Sequence, residues 1–234
     1  MQKSPEGYLL VNKPLGWTSF DVVNKIRFML ADELQVAPKS LKVGHAGTLD
    51  PMAGGLLIVL VGLYTKRQSD FMKQDKTYDA ELELGKTSNT DDAEGQLKKV
   101  SDRRPSLDDI TSTLQEFIGS FKQVPPDYSA IKIRGRPAYS RARSGEKPKL
   151  TAKPVRVLSI TGVEYQYPKI KFTCVVSSGT YIRALVRDVG QKLGTGAYLT
   201  ALVRTKIGKY SLKSGFSIAD LEEKNIVDCL KLES

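Results

Sequence analysis

The stretch that most constrains this chain runs Val43-Gly44-His45-Ala46-Gly47-Thr48-Leu49-Asp50-Pro51-Met52-Ala53-Gly54-Gly55 and leads into an unbroken apolar run, Leu56 to Val61. It holds the only histidine and four of the 19 glycines. Glycine lets a backbone turn tightly or approach a ligand closely. Pro51 fixes its own φ, lacks an N–H and pushes Asp50 towards extended backbone. The apolar run has the length of a buried strand. Asp50 is therefore expected on a stiff loop feeding a core strand, where chemical residues are often placed. From this stretch alone, a solvated aspartate in a glycine-rich turn is the alternative.

Composition narrows the class. A chain of 234 residues, 40% hydrophobic and 26% charged, has the make-up of a globular protein with one large domain or two small ones. Met1-Gln2-Lys3-Ser4-Pro5-Glu6 has no apolar segment of the signal-peptide kind. The longest apolar stretch, Gly54 to Tyr64, is too short to span a bilayer. Cys174 and Cys229 stand alone and are expected as reduced thiols in a cytoplasmic protein. One histidine and two distant cysteines do not make a standard zinc site. The acidic cluster in Gly85 to Gly95 lacks EF-hand spacing, which argues against calcium.

The formal net charge is +10, which points to a polyanionic partner. Ten of the 36 basic residues fall between Lys122 and Arg156, opposed only by Asp127 and Glu146. They include Lys132, Arg134, Arg136, Arg141 and Arg143, with Tyr128 and Tyr139 interleaved. Cations bind phosphates and aromatic rings stack on bases, so this segment suits RNA. A solvated surface loop is the plainer reading of the same charges.

Along the chain, Gly7 to Asn12 reads as a short buried strand, and Lys13-Pro14-Leu15-Gly16-Trp17 as a turn. Thr18 or Ser19 caps a helix, with Asp21 completing a box from Thr18 and Val22, Val23, Ile26, Met29 and Leu30 facing inward. Thr77 to Leu84 alternates, with Tyr78 on the apolar face. Ser106 caps a second helix that Gly119 stops. Val124 to Pro154 is an excursion with too few apolar residues for a core of its own; it holds a short strand near Ile131 and Ile133 and a brief helix at Tyr139 to Arg143. Ile170 to Val176 is an alternating strand, followed after Ser177-Ser178-Gly179-Thr180 by a helix with Arg183 in its first turn. A cation is disfavoured there by the helix dipole, so Arg183 calls for an anionic partner, a carboxylate or a phosphate. Leu199 to Val203 suggests a further strand with Tyr210 to Leu212 as its hairpin mate, and Ser217 caps a terminal helix.

The order of these motifs resembles that of the bacterial TruB-type tRNA pseudouridine-55 synthases. Asn12-Lys13-Pro14-Leu15-Gly16-Trp17-Thr18-Ser19 is similar to the family's amino-terminal motif, and His45 to Leu56 to its catalytic motif. Lys76-Thr77-Tyr78 is similar to the tyrosine motif, and Asn89 to Gly95 to the acidic stretch after it. Val124 to Ala130 resembles the start of the RNA-gripping insertion, Ser178 to Arg183 the arginine motif, and Leu202-Val203-Arg204-Thr205 the last motif.

The resemblance implies an α+β fold, a mixed and largely antiparallel sheet flanked by helices. It implies one catalytic domain over residues 1–234, a basic RNA-binding insertion at about 124–154 and a short tail at about 213–234. It implies an isomerase that converts uridine 55 in the T loop of tRNA to pseudouridine. Asp50 is then the nucleophile, Arg183 its pairing partner and Tyr78 a ring stacked on the target base. Tyr181 and Leu202 line the uracil pocket, and His45 holds the T loop open. The expected partner is the tRNA T arm, with no metal, no cofactor, no protein partner and a monomeric, cytoplasmic chain. A tRNA-binding folding factor, or a synthase acting on another stem-loop RNA, are the alternatives. Two departures stand out: the chain stops at Ser234, too soon for the complete carboxy-terminal PUA domain many members carry, and Val203 stands where the last motif often has arginine.

Overall fold

A computed structural model describes residues 5–129, 131–133, 135–144, 146 and 150–233, with backbone alone for 132, 133, 136, 137, 139, 142 and 143. In chain order the elements are β1 (Gly7–Lys13), α1 (Ser19–Glu33), β2 (Val43–His45), β3 (Ala53–Val61), α2 (Gln68–Met72), β4 (Lys76–Leu84), β5 (Lys86–Ser88), β6 (Leu97–Lys99), α3 (Leu107–Glu116) and β7 (Gly119–Gln123). There follow β8 (Lys132–Ile133), β9 (Arg136–Pro137), α4 (Ala138–Arg143), β10 (Lys153–Gln166), β11 (Lys169–Val176), α5 (Ile182–Lys192), β12 (Ala197–Ile207), β13 (Tyr210–Ser211) and α6 (Ile218–Glu222). The fold is α+β with mainly antiparallel pairing. Two compact units divide it: Met1–Tyr78 with Val203–Ser234, and Asp79–Leu202.

In the first unit β3 pairs antiparallel with β1, Leu9 opposite Val59, and with β2, His45 opposite Val59. One face of β1 and β3, with Leu9, Val11, Leu57 and Val59, packs on Val22, Val23, Ile26 and Leu30 of α1. The other face, with Tyr8, Leu10, Leu56, Ile58 and Leu60, packs on Tyr64, Phe71, Ile207 and Tyr210. A strand buried on both faces reads as a continuous apolar run and not as an alternation. That is why Leu56 to Val61 carries no polar residue. The helix that covers one face starts at Thr18, whose hydroxyl accepts from the Asp21 N–H at 3.1 Å while the Asp21 carboxylate accepts from the Thr18 N–H at 2.7 Å. Gly55 lies at φ +98°, and a Cβ there would come within 2.4 Å of the Arg204 carbonyl oxygen. Only glycine lets β3 approach that backbone so closely. The carboxy-terminal stretch also belongs to this unit: Tyr8 and Lys231 exchange N–H···O bonds of 2.9 Å, and Asn12 N–H donates to the Phe216 carbonyl at 2.8 Å.

In the second unit β10 pairs antiparallel with β11, Ile160 opposite Cys174, and with β7, Val155 opposite Phe121. β11 alternates as the sequence suggests, with Ile170, Phe172, Cys174 and Val176 buried. Ser106 and Asp109 form the expected capping box on α3. The helix stops before Gly119, but that residue also starts β7. The polar stretch after β4 contains the antiparallel pair β5–β6, Thr87 opposite Lys98. Its strands are three residues long, β6 exposed and β5 polar and partly buried, so no apolar alternation marks them. In the basic segment β8 and β9 form a two-stranded hairpin around Gly135, at φ +82°, followed by α4.

Candidate active site

Asp50 stands, half-buried, in the turn between β2 and β3. Every carbonyl from Gly47 to Pro51 is hydrogen-bonded. Arg204 donates from Nη2 to Gly47 O at 2.9 Å and from Nη1 to Thr48 O at 3.4 Å, and its Nε holds Leu56 O at 2.8 Å. The Ser19 hydroxyl donates to Leu49 O at 3.0 Å and accepts from Leu49 N–H at 2.8 Å. Asp50 O accepts from Ala53 N–H at 3.0 Å, and Pro51 O from Gly16 N–H at 2.8 Å. The Lys13 ammonium lies 3.5 Å from Pro51 O and donates to Pro14 O at 2.9 Å and Trp17 O at 2.5 Å. Lys13, Ser19 and Arg204 are all buried, at 1%, 3% and 1% exposure. A buried charge is tolerable only where it is well hydrogen-bonded. Here the loop carbonyls supply those bonds, so the groups that solvate the cations are the groups that fix the Asp50 backbone.

Arg204 is paired with no carboxylate among the described residues. Its charge is felt by its neighbours. Lys76, buried in β4 with its ammonium on the Met72 and Gln74 carbonyls, is held down to about 8, by burial first and the Arg204 charge second. His45 is lowered by the same two causes in the same order and is a neutral imidazole at neutral pH.

Arg183, the second residue of α5, is organised differently. It is buried, and its guanidinium lies 3.1 Å from Asp92 Oδ2, itself buried at 1%. It also donates to Thr90 O at 2.9 Å and Tyr128 O at 3.0 Å. Asp92 in turn accepts from the Thr90 hydroxyl at 2.5 Å and the Glu94 N–H at 3.0 Å. One turn further along α5, Arg187 pairs with Asp91 at 3.0 Å and donates to Val124 O at 3.0 Å. Burial lifts the Asp91 carboxyl above its ordinary value, against the pull of Arg187 and Arg183. Asn89 to Gly95 thus supplies the carboxylates that hold two arginines of α5.

Of the residues singled out from the sequence, His45 ends β2 with its ring half-buried and its carbonyl accepting from Gln68 at 2.7 Å. Tyr78 is buried in β4. Tyr181 precedes α5, where its backbone exchanges two hydrogen bonds with the Gln123 side chain, at 2.9 and 3.1 Å. Leu202 is buried in β12. His45, Asp50 and Tyr78 belong to the first unit, and Tyr181, Arg183 and Leu202 to the second. Arg141 pairs with Glu146 at 2.7 Å. Arg134 and the side chains of Lys132, Arg136 and Arg143 lie outside the described residues. Sequence reasoning missed Lys13, Ser19, Arg204 and Asp92 as parts of the site. Arg204 had a signal: it shares strand parity with Leu202, while Val203 between them is exposed. Among the described residues, no group of three or more His, Cys, Asp or Glu side chains is gathered for a metal ion.

The fold is similar to that in a Cbf5–Nop10–Gar1 complex (TM-score 0.67, 26% identity, 93% of this chain and 54% of that one). It is also similar to that in an H/ACA ribonucleoprotein bound to a substrate RNA containing 2′-deoxyuridine (TM-score 0.66, 25% identity, 93% of this chain and 52% of that one). The chain spans about half the length of those proteins. At the sequence level, the model of the TruB family pseudouridylate synthase N-terminal domain matches residues 34–182. That of the tRNA pseudouridylate synthase B C-terminal domain matches residues 183–229. The tRNA pseudouridine synthase B of Parabacteroides distasonis is 44% identical over 94% of each chain. That of Phocaeicola vulgatus is 44% identical over 92% of this chain and 91% of its own. The chain belongs to the TruB family of pseudouridine synthases, which are isomerases.

Proposed function

We propose that the chain converts uridine 55 in the T loop of tRNA to pseudouridine, with Asp50 as the nucleophile. The C1′–N1 bond of the target breaks, the uracil turns, and a C1′–C5 bond forms; C5 loses a proton and N1 gains one, so the reaction is redox-neutral. Asp50 attacks either uracil C6 or ribose C1′, and a carboxylate suits both routes. Arg183 pairs with the Asp50 carboxylate and keeps it ionised and aligned. Tyr78 stacks on the extruded base, Tyr181 and Leu202 line the uracil pocket, and His45 helps hold the T loop open after the base leaves the stack. Base extrusion costs a few kcal/mol, which such contacts offset. The basic segment from Lys122 to Arg156 closes over the T arm. The enzyme acts as a monomer in the cytoplasm.

The observation that carries this reading is the backbone of Asp50. Reaction at a positioned carboxylate gains most when the geometry is set before substrate arrives. Here each carbonyl from Gly47 to Pro51 is already held. The test is incubation with an unmodified tRNA transcript and site-resolved detection of pseudouridine, with Asp50→Asn in parallel. Product at the T-loop uridine from the wild type alone supports the assignment. Binding without product from either protein removes it and leaves a tRNA-binding factor.

A further inference from the structure

On the first unit, outside the residues given a role above apart from His45, lies a cavity of about 1040 Å³. Arg27, Lys39 and Lys42 line it, and no acidic residue does. Arg27 is fixed in the wall, donating to Asn24 Oδ1 at 2.7 Å and Val43 O at 3.1 Å. Lys39 and Lys42 are exposed and enter no ion pair among the described residues. Phe28 stands at the rim with 60% of its surface in solvent. His45 also lines it, and its Nδ1 is buried without a hydrogen-bond partner.

These features call for one kind of ligand. Three cations without a carboxylate favour an anion. An open aromatic ring favours a planar base. His45, which lines the cavity, also lies five residues before Asp50 in the stretch that leads to it. We infer that this cavity is a second nucleotide-binding site, which takes one unstacked nucleotide of the RNA substrate, its base on Phe28 and its phosphates on Lys39 and Lys42. The inference rests on the proposed function, because the ligand is part of the same RNA.

The test uses the full chain and an unmodified tRNA transcript. With Phe28 replaced by photoreactive p-benzoylphenylalanine, irradiation is expected to attach the transcript at one or two adjacent nucleotides. Phe28→Ala is expected to raise the dissociation constant about tenfold, the scale of one base stacked on a ring. Lys39→Glu with Lys42→Glu should lower the salt dependence of binding by roughly one to two phosphates' worth, and raise KM more than it lowers turnover at saturation. All three residues are surface residues, so melting temperatures report whether any loss is one of folding. No crosslink, or crosslinks scattered over the transcript, with binding unchanged in the variants, overturns the inference while pseudouridine formation by the wild type leaves the proposed function standing. Absence of pseudouridine with a single mapped crosslink does the reverse.

Discussion

The loop that carries Asp50 and the helix that carries Arg183 both bury cations, in opposite company. Arg204 and Lys13 sit on backbone carbonyls. Arg183 and Arg187 sit on the carboxylates of Asp92 and Asp91. A cation on carbonyls fixes backbone geometry, and the Arg204 charge, paired with no carboxylate among the described residues, reaches its neighbours. Lys76 and His45 register it. A cation on a carboxylate is neutralised locally, and each partner depends on the other. The first arrangement sets the shape of a loop; the second sets the direction of a side chain.

The comparison breaks most sharply at Arg204. Arg204→Met leaves three carbonyls without their donor and is expected to cost about 3–5 kcal/mol in urea unfolding, with activity falling in the fraction that stays folded. Loss of under about 1 kcal/mol would mean the loop stands without its clamp. Asp92→Asn keeps the shape but removes one charged partner of Arg183, which keeps its bonds to Thr90 O and Tyr128 O, so about 2 kcal/mol of stability is expected to go. Its distinguishing mark is kinetic: turnover at saturating tRNA should fall at least about tenfold while the dissociation constant moves little, because an aimed group and not a binding surface is lost. Equal effects on both would contradict the assignment.

The smallest effect concerns Lys76. Its ammonium titrates near 8 in the folded chain, against 10.5 as its ordinary value. Below pH 8 both states hold the proton and the burial penalty is fully present. Between 8 and 10.5 the unfolded chain holds more protons, so this group makes stability rise with pH, by about 1 kcal/mol per unit. Unfolding curves of wild type and Lys76→Met across that window check it: the wild type should carry the extra slope. Parallel curves would show that Lys76 is not lowered in the folded chain.

Much of this was legible beforehand, for reasons that show in particular residues. The unbroken run Leu56 to Val61 marks a strand covered on both faces, and Thr18 with Asp21 marks the start of the helix that covers one of them. Asp50 and Arg183 announced themselves by neighbours, Pro51 for one and a helix start for the other. What stayed hidden was polar and single. Lys13 reads as part of a Pro-Gly turn, and Ser19 as a rival cap to Thr18. With Thr18 doing the capping, the Ser19 hydroxyl is released to Leu49. Its partner is 30 residues away, a separation that no local pattern encodes. Asp92 looked like one of several acids in a polar stretch, because its burial comes from tertiary contacts that the short strands β5 and β6 do not signal.

The Asp50 loop is formed before RNA arrives, its carbonyls already held. Amide hydrogen exchange of the RNA-free protein tests it at Leu49 and Ala53, whose N–H groups donate to Ser19 Oγ and Asp50 O. Both amides are expected to exchange about a thousandfold or more below the free-peptide rate, with Leu49 losing that protection in Ser19→Ala. Exchange at the free-peptide rate in the wild type would show a loop ordered only by its substrate, and would contradict the account.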